Sequence, residues 1–205
     1  DNAYSIANEK FELTVGVPRD DIEDDNYGVY TPMMEAMGES TALHKDERVS
    51  EAVKNGFTEK CYDGQPFFSE RHQVGSITYS NKGDAKLDAE SFQAARQSIM
   101  SLKNEKGQPL NIVPNVLLVP PALEKEARMI LEAELVNGTS NINKGLAEVV
   151  VWSQLADKPT QWYLLCTKRS LKPFIFQERR KAKFTAMTRD CLLYTSPSPR
   201  DGATS

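Results

Sequence analysis

The stretch Pro114-Asn-Val-Leu-Leu-Val-Pro-Pro-Ala-Leu-Glu-Lys-Glu-Ala-Arg128 sets two kinds of pattern side by side. Val116–Val119 is a short unbroken apolar run between prolines, the mark of a short buried strand. Pro120-Pro121 then opens a helix, because the fixed φ and missing N–H of proline suit a first turn. Leu123, Ala127, Ile130, Leu131 and Leu135 share one face of that helix, and Asn137-Gly138 reads as its stop.

Strands are expected downstream, at Ala147–Trp152, Trp162–Cys166 and Pro173–Phe176. Upstream, Leu87-Asp88 opens a helix with Phe92, Ala95, Ile99 and Leu102 on one face, closed by Gly107-Gln-Pro109. Residues Phe57–Lys86 carry Gly, Pro, Ser and Asn at short intervals and predict a long irregular loop that has room for a hairpin. Loops of this length usually serve a function or a partner. Thr31-Pro32 predicts a helix start, and apolar spacing carries that helix to Asn55-Gly56, with Gly38 and His44–Asp46 as candidate break points. Phe11–Val17 alternates apolar and polar residues and predicts a half-buried strand ended by Pro18. The order is strand, long helix, loop, helix, strand, helix, strands. That is a mixed α+β arrangement, not a regular βαβ repeat.

Bulk composition agrees with a folded domain. The chain has 205 residues, 40% hydrophobic and 26% charged, with a formal net charge of −4. Nothing in that charge attracts nucleic acid or an anionic membrane as a whole. No apolar run is long enough to span a bilayer and no signal peptide is visible. Cys61, Cys166 and Cys191 are widely spaced, with no CxxC, so neither a disulfide framework nor a zinc site is expected.

Three constellations could carry chemistry. Asp20, Asp21, Glu23, Asp24 and Asp25 could offer oxygens to a hard cation, but the calcium-loop pattern is missing, and a solvated helix entry or subunit contact is the better reading. Cys61, Asp63 and His72 lie close in sequence, so a cysteine nucleophile with a histidine base has to be weighed. Nothing resembling an oxyanion hole accompanies them, and an isolated cysteine is ordinarily a small hydrophobe. Lys168, Arg169, Lys172, Arg179, Arg180, Lys181 and Lys183, interleaved with Phe174, Phe176 and Phe184, could hold a single strand. A strand with one packed face accounts for them better, and this basic end could meet the acidic run across a subunit boundary. No dinucleotide, phosphate-loop, zincin or serine-hydrolase motif occurs, and the only histidines are His44 and His72. The expectation is no catalytic residue, no cofactor and no metal.

The order of five segments resembles the major head subunit of Mu-like phages, the gpT family. They are Phe11–Met33, Cys61–His72, Leu87–Leu110, Pro114–Arg128 and Trp162–Arg180. The resemblance implies the phage major capsid fold of the Hong Kong 97 type, with residues 1–60 as a peripheral-domain part bearing a strand and a long spine helix. It implies a long loop at 61–86, an axial-domain-like part at 87–160 and strands returning to the peripheral domain at 161–190. It further implies a structural, non-enzymatic shell around double-stranded DNA, built of hexamers and pentamers. Scaffold/protease and portal proteins would be partners, assembly would occur in the bacterial cytoplasm, and the mature location would be the virion. No membrane and no specific nucleic-acid site are implied. A nanocompartment shell of the encapsulin kind is the alternative with the same fold, and a Cys/His enzyme is the remaining one. The loop Phe57–Lys86 is expected to touch a neighbouring subunit.

Both ends call for comment. The chain opens Asp-Asn-Ala-Tyr without Met, and family members carry a substantial segment before this point, so a missing N-terminal arm is expected. Residues Cys191–Asp201, CLLYTSPSPRD, back-translate to a string similar to a transposase-based sequencing adapter. Residues 191–205 are therefore expected to be foreign to the fold.

Overall fold

A computed structural model describes Phe11, Gly28, 30–61, 63–74 and 76–169. All of the expected strand at Phe11–Val17 but Phe11 itself, the expected strand at Pro173–Phe176, the acidic run 19–25, most of the basic stretch and residues 191–205 lie outside the described residues.

A three-stranded sheet organises the molecule, and the opening stretch supplies its centre. Strand β3 (Val116–Val119) pairs parallel to β6 (Glu148–Val151) on one side and antiparallel to β7 (Tyr163–Leu165) on the other. Successive side chains of a strand point to opposite faces, and β3 is apolar on both. Leu117 and Val119 enter one cluster with Phe92, Ala127, Ile130 and Leu131. Leu118 enters a second with Val53, Leu155 and Tyr163. The unbroken VLLV run is thus a strand covered on both sides. Its parallel pairing with β6 encloses one helical crossover, so the sheet is mixed and the arrangement α+β as read from the element order.

Helix α1 (Tyr30–Asn55) is a single continuous helix of 26 residues. Neither Gly38 nor His44–Asp46 breaks it. A lone helical glycine costs only about 1 kcal/mol relative to alanine. Local pairs support the later turns, among them Arg48–Glu51 at 2.7 Å and the Thr41 hydroxyl donating to the Met37 carbonyl at 2.9 Å. The C-terminal end is seated on the sheet through buried Ser50 and Val53, and Lys54 reaches Asp157 at 2.7 Å.

Helix α2 (Ala89–Met100) begins with a capping box. Asp88 accepts from the Ser91 N–H at 2.7 Å, and Ser91 Oγ accepts from the Asp88 N–H at 3.0 Å. Its Phe92 is fully buried, and the Arg96 guanidinium donates to the carbonyls of Pro114 and Leu146. The helix stops at Met100, before the expected Leu102, and a turned loop follows in which Leu110 N–H bonds the Leu102 carbonyl.

The prolines after β3 begin a 3₁₀ turn, Pro121–Leu123, that runs into α3 (Glu124–Leu131). Here the expectation is corrected. Leu135 is not on the helix, and Asn137-Gly138 does not stop it. Asn141 caps its end, its side-chain amide donating to the Ile130 carbonyl, which has no partner inside the helix, at 2.9 Å and to the Ala133 carbonyl just beyond at 3.0 Å. Leu135 belongs to β4 (Leu135–Val136), which pairs with β5 (Thr139–Ser140). Asn137 and Gly138 have φ of 52° and 79° and form the two-residue turn of that hairpin.

Candidate functional site

The loop between α1 and α2 contains the residues that sequence reading singled out, and it is ordered by its own hydrogen bonds. Strands β1 (His72–Val74) and β2 (Ile77–Tyr79) form the hairpin for which the loop had room. Around Cys61 the chain turns tightly. Gly64 sits at φ 78°, the Gln65 N–H donates to Asp63 Oδ1 at 3.0 Å, and the Cys61 N–H donates to the Gln65 carbonyl at 2.7 Å. The second Asp63 oxygen, Oδ2, accepts from His72 Nδ1 at 2.6 Å, and His72 Nε2 faces the Phe67 carbonyl at 3.0 Å. Asn81 completes the tie. Its amide donates to the same Phe67 carbonyl at 2.6 Å and accepts from the Ser69 N–H at 2.8 Å.

This geometry decides the chemistry. Both ring nitrogens of His72 are engaged, Nδ1 with the Asp63 carboxylate and Nε2 with the Phe67 carbonyl, so the ring is committed to these contacts and not to Cys61. Burial pushes the Cys61 thiol up, and the neighbouring Asp63 carboxylate adds to the shift. A nucleophilic cysteine needs the opposite environment. The His72 hydrogen bond holds the Asp63 carboxyl below the usual carboxylate range, with desolvation opposing it. The structure therefore brings Asp63 and His72 together as a clasp and leaves Cys61 beside it, outside their contacts.

The clasp is docked to the sheet by aromatic rings. Phe68 lies 4.8 Å from Phe57 and 5.5 Å from Tyr163, centroid to centroid, and its N–H donates to the Gly56 carbonyl at 2.7 Å. Tyr163, buried in the second cluster and near Asp157, has its phenol pushed up to about 12. Farther along, the Tyr79 hydroxyl donates to the Lys103 carbonyl at 2.6 Å, and the Trp162 indole N–H donates to the Ala85 carbonyl at 3.0 Å. Sequence reading missed these anchors, since pairings 24 and 77 residues apart leave no local signal.

Nothing else among the described residues gathers into a reactive centre. No group of three His, Cys, Asp or Glu could hold a metal ion there. No helix among the described residues is long and apolar enough to cross a membrane. An open depression of about 740 Å³ lies along α2 beside Glu90, Gln93, Gln97 and Met100. His44 lies on α1 with its ring 4.1 Å from that of Phe11.

The class of the chain follows from its relatives. The profile of the Mu-like prophage major head subunit gpT matches residues 1–86, 77–155 and 152–191. The chain belongs to that family. It is 35% identical over 188 residues to the major capsid protein of Escherichia phage Mu, covering 92% of this chain and 42% of that protein. It is 31% identical over 179 residues to the Mu-like prophage FluMu major head subunit of Haemophilus influenzae, covering 87% of this chain and 39% of that protein. The chain thus spans about two fifths of the length of these curated relatives. Among solved structures it is similar to the bacteriophage JBD30 capsid, with a TM-score of 0.62 at 25% identity over 71% of this chain and 74% of that one. The JBD30 procapsid matches with a TM-score of 0.60 at 27% identity over 71% and 75%. The fold is therefore a mixed α/β one shared with a phage capsid protein.

Proposed function

We propose that the protein is the major shell subunit of a Mu-like phage or prophage head. It associates with copies of itself into hexamers and pentamers that close around double-stranded DNA, and it resides in the virion. The observation that carries this reading is the match to the JBD30 capsid over 71% of the chain at 25% identity, within a family defined by head subunits. The fold is then of the Hong Kong 97 type, with α1 as the spine helix. Residues 1–60 form a peripheral part, 61–86 the clasped loop, 87–160 an axial part, and 161–190 the return to the periphery. In that division β7 ties the last part to the axial sheet through its pairing with β3. Scaffold/protease and portal proteins are the partners such a shell requires. The subunit performs no catalysis, in keeping with a family defined by head subunits. A shell needs surfaces that repeat under symmetry and no reactive cleft.

The test is negative-stain electron microscopy of the full-length subunit co-expressed with its neighbouring scaffold gene. Rings of five or six, or closed shells, are expected. A folded subunit that stays monomeric under those conditions refutes the reading. Deletion of Ser69–Asp84 is a poor probe of assembly, because it removes His72, Tyr79 and Asn81, which anchor the loop within its own chain.

A further inference from the structure

Two separate surfaces expose large apolar side chains at the edges of the sheet's cover. The first lies on α3 and the hairpin after it, where Met129 is 52% exposed, Leu135 62%, Val136 42% and Ile142 83%. The second flanks the neck of the loop after α2, where Met100 is 44% and Val113 48% exposed. The Leu110 N–H donates to the Leu102 carbonyl and closes that neck. Apolar groups gathered in this way mark contact surfaces more often than scattered ones do.

The charges around them are opposite. Residues 124–148 carry five carboxylates against three cations, a net charge of −2. The loop 101–113 carries Lys103 and Lys106 against Glu105, and Lys168 and Arg169 join it, giving +3. Arg169 is held at this place by donating to the carbonyls of Leu110 and Asn111. A ring of identical subunits needs two different surfaces that fit each other, because each copy meets one neighbour with one and the next neighbour with the other.

We infer that the Leu135–Ile142 surface of one copy docks on the Met100/Val113 surface of the next, head to tail. The apolar groups supply the buried centre, and the opposed charges of the rim set the register. This inference rests on the shell reading and assigns its intersubunit contact.

The experiment uses two paired variants of the chain, each at exposed positions. Leu135→Asp with Ile142→Asp disables the first surface, and Met100→Asp with Val113→Asp disables the second. Native mass spectrometry, with one variant isotopically labelled, reads the species formed alone and mixed, and circular dichroism checks that each folds. The wild-type chain is expected to form species larger than dimers. Each variant alone is expected to associate about tenfold or more weakly. Mixed together, the two share one intact contact and stop at a heterodimer. Lys103→Glu, a reversal at the basic rim, is expected to weaken association, a readout that survives if a double variant fails to fold. Variants that associate as the wild type does overturn the inference and leave the shell reading standing. A wild-type chain that remains monomeric at about 100 μM, weaker than stable specific contacts allow, also overturns it and assigns the two surfaces to a different protein.

Discussion

Gly56 sits where the end of α1 meets the clasped loop, and its missing side chain is a testable requirement. A Cβ placed there lies 2.8 and 2.9 Å from two ring carbons of Phe68 and 3.1 Å from the Val53 carbonyl oxygen. Carbon pairs are comfortable at roughly 3.5–4.0 Å, so the ring has to retreat by about 0.7 Å. Phe57 and Tyr163 stand behind it, with Phe67 edge-on at 5.0 Å between centroids. Overpacking of this kind costs about 1–3 kcal/mol. Alanine recovers about 0.4–1 kcal/mol by restricting the unfolded chain. The net expectation for Gly56→Ala is a loss of roughly 1–2 kcal/mol, or roughly 2–8 °C in Tm for a chain of this size. Urea unfolding of the single variants and of Gly56→Ala/Phe68→Leu completes the cycle. The smaller leucine leaves room for the new methyl, so the double variant should lose less than the two singles together. Strict additivity, or a Gly56→Ala chain as stable as the parent, would falsify the close contact as the reason for glycine.

Three further outcomes are expected. Phe92→Ala, which empties the centre of the first cluster, should cost about 3–5 kcal/mol in the same unfolding assay, and a loss below about 1 kcal/mol would contradict its full burial. The Asp63 carboxyl is depressed in the folded state, so the stability it adds is present above the ordinary carboxylate range and is lost as pH falls through its lower folded value. Unfolding curves between neutral and acid pH should therefore be flatter in Asp63→Asn than in the parent, and identical slopes would show that the clasp contributes nothing. Alkylation of Cys61, followed by peptide mass spectrometry, should lag behind that of a free thiol and quicken in Asp63→Asn, whereas faster-than-free reaction at neutral pH would revive a reactive cysteine.

Much of the sheet and its helices was legible because the signals were local. The VLLV run between prolines, the strands around Val149–Val151 and Tyr163–Leu165, and the Asp88 start of α2 each follow from a handful of adjacent residues. Asn137-Gly138 misled because the same dipeptide ends helices and turns hairpins. What separates the two uses here is the Asn141 side chain, which closes the helix from eight or more residues away and carries no pattern of its own. The site showed the same division. Asp63 and His72 were picked out with Cys61 as neighbours in sequence, but their role depends on where each ring nitrogen points. The anchors at Tyr79, Asn81 and Trp162 depend on long-range pairing and could not be read at all. The resemblance of five ordered segments supplied what local reasoning could not, namely the class of protein.

The place of β3 in the chain also bears on how the polypeptide leaves the ribosome. Its hydrogen-bonding partners are both synthesised later, Glu148 standing opposite Val116 on one side and Leu165 on the other. At roughly 5–20 residues per second, the bare VLLV segment waits several seconds for its second neighbour. During that interval it is a short apolar strand with two open edges, the kind of segment that recruits strangers. Pro114, Pro120 and Pro121 bracket it, and a residue without an N–H cannot extend a ladder in either direction. These prolines are placed as gatekeepers for the nascent chain, and their replacement should raise the insoluble fraction during expression before it changes the stability of the finished fold.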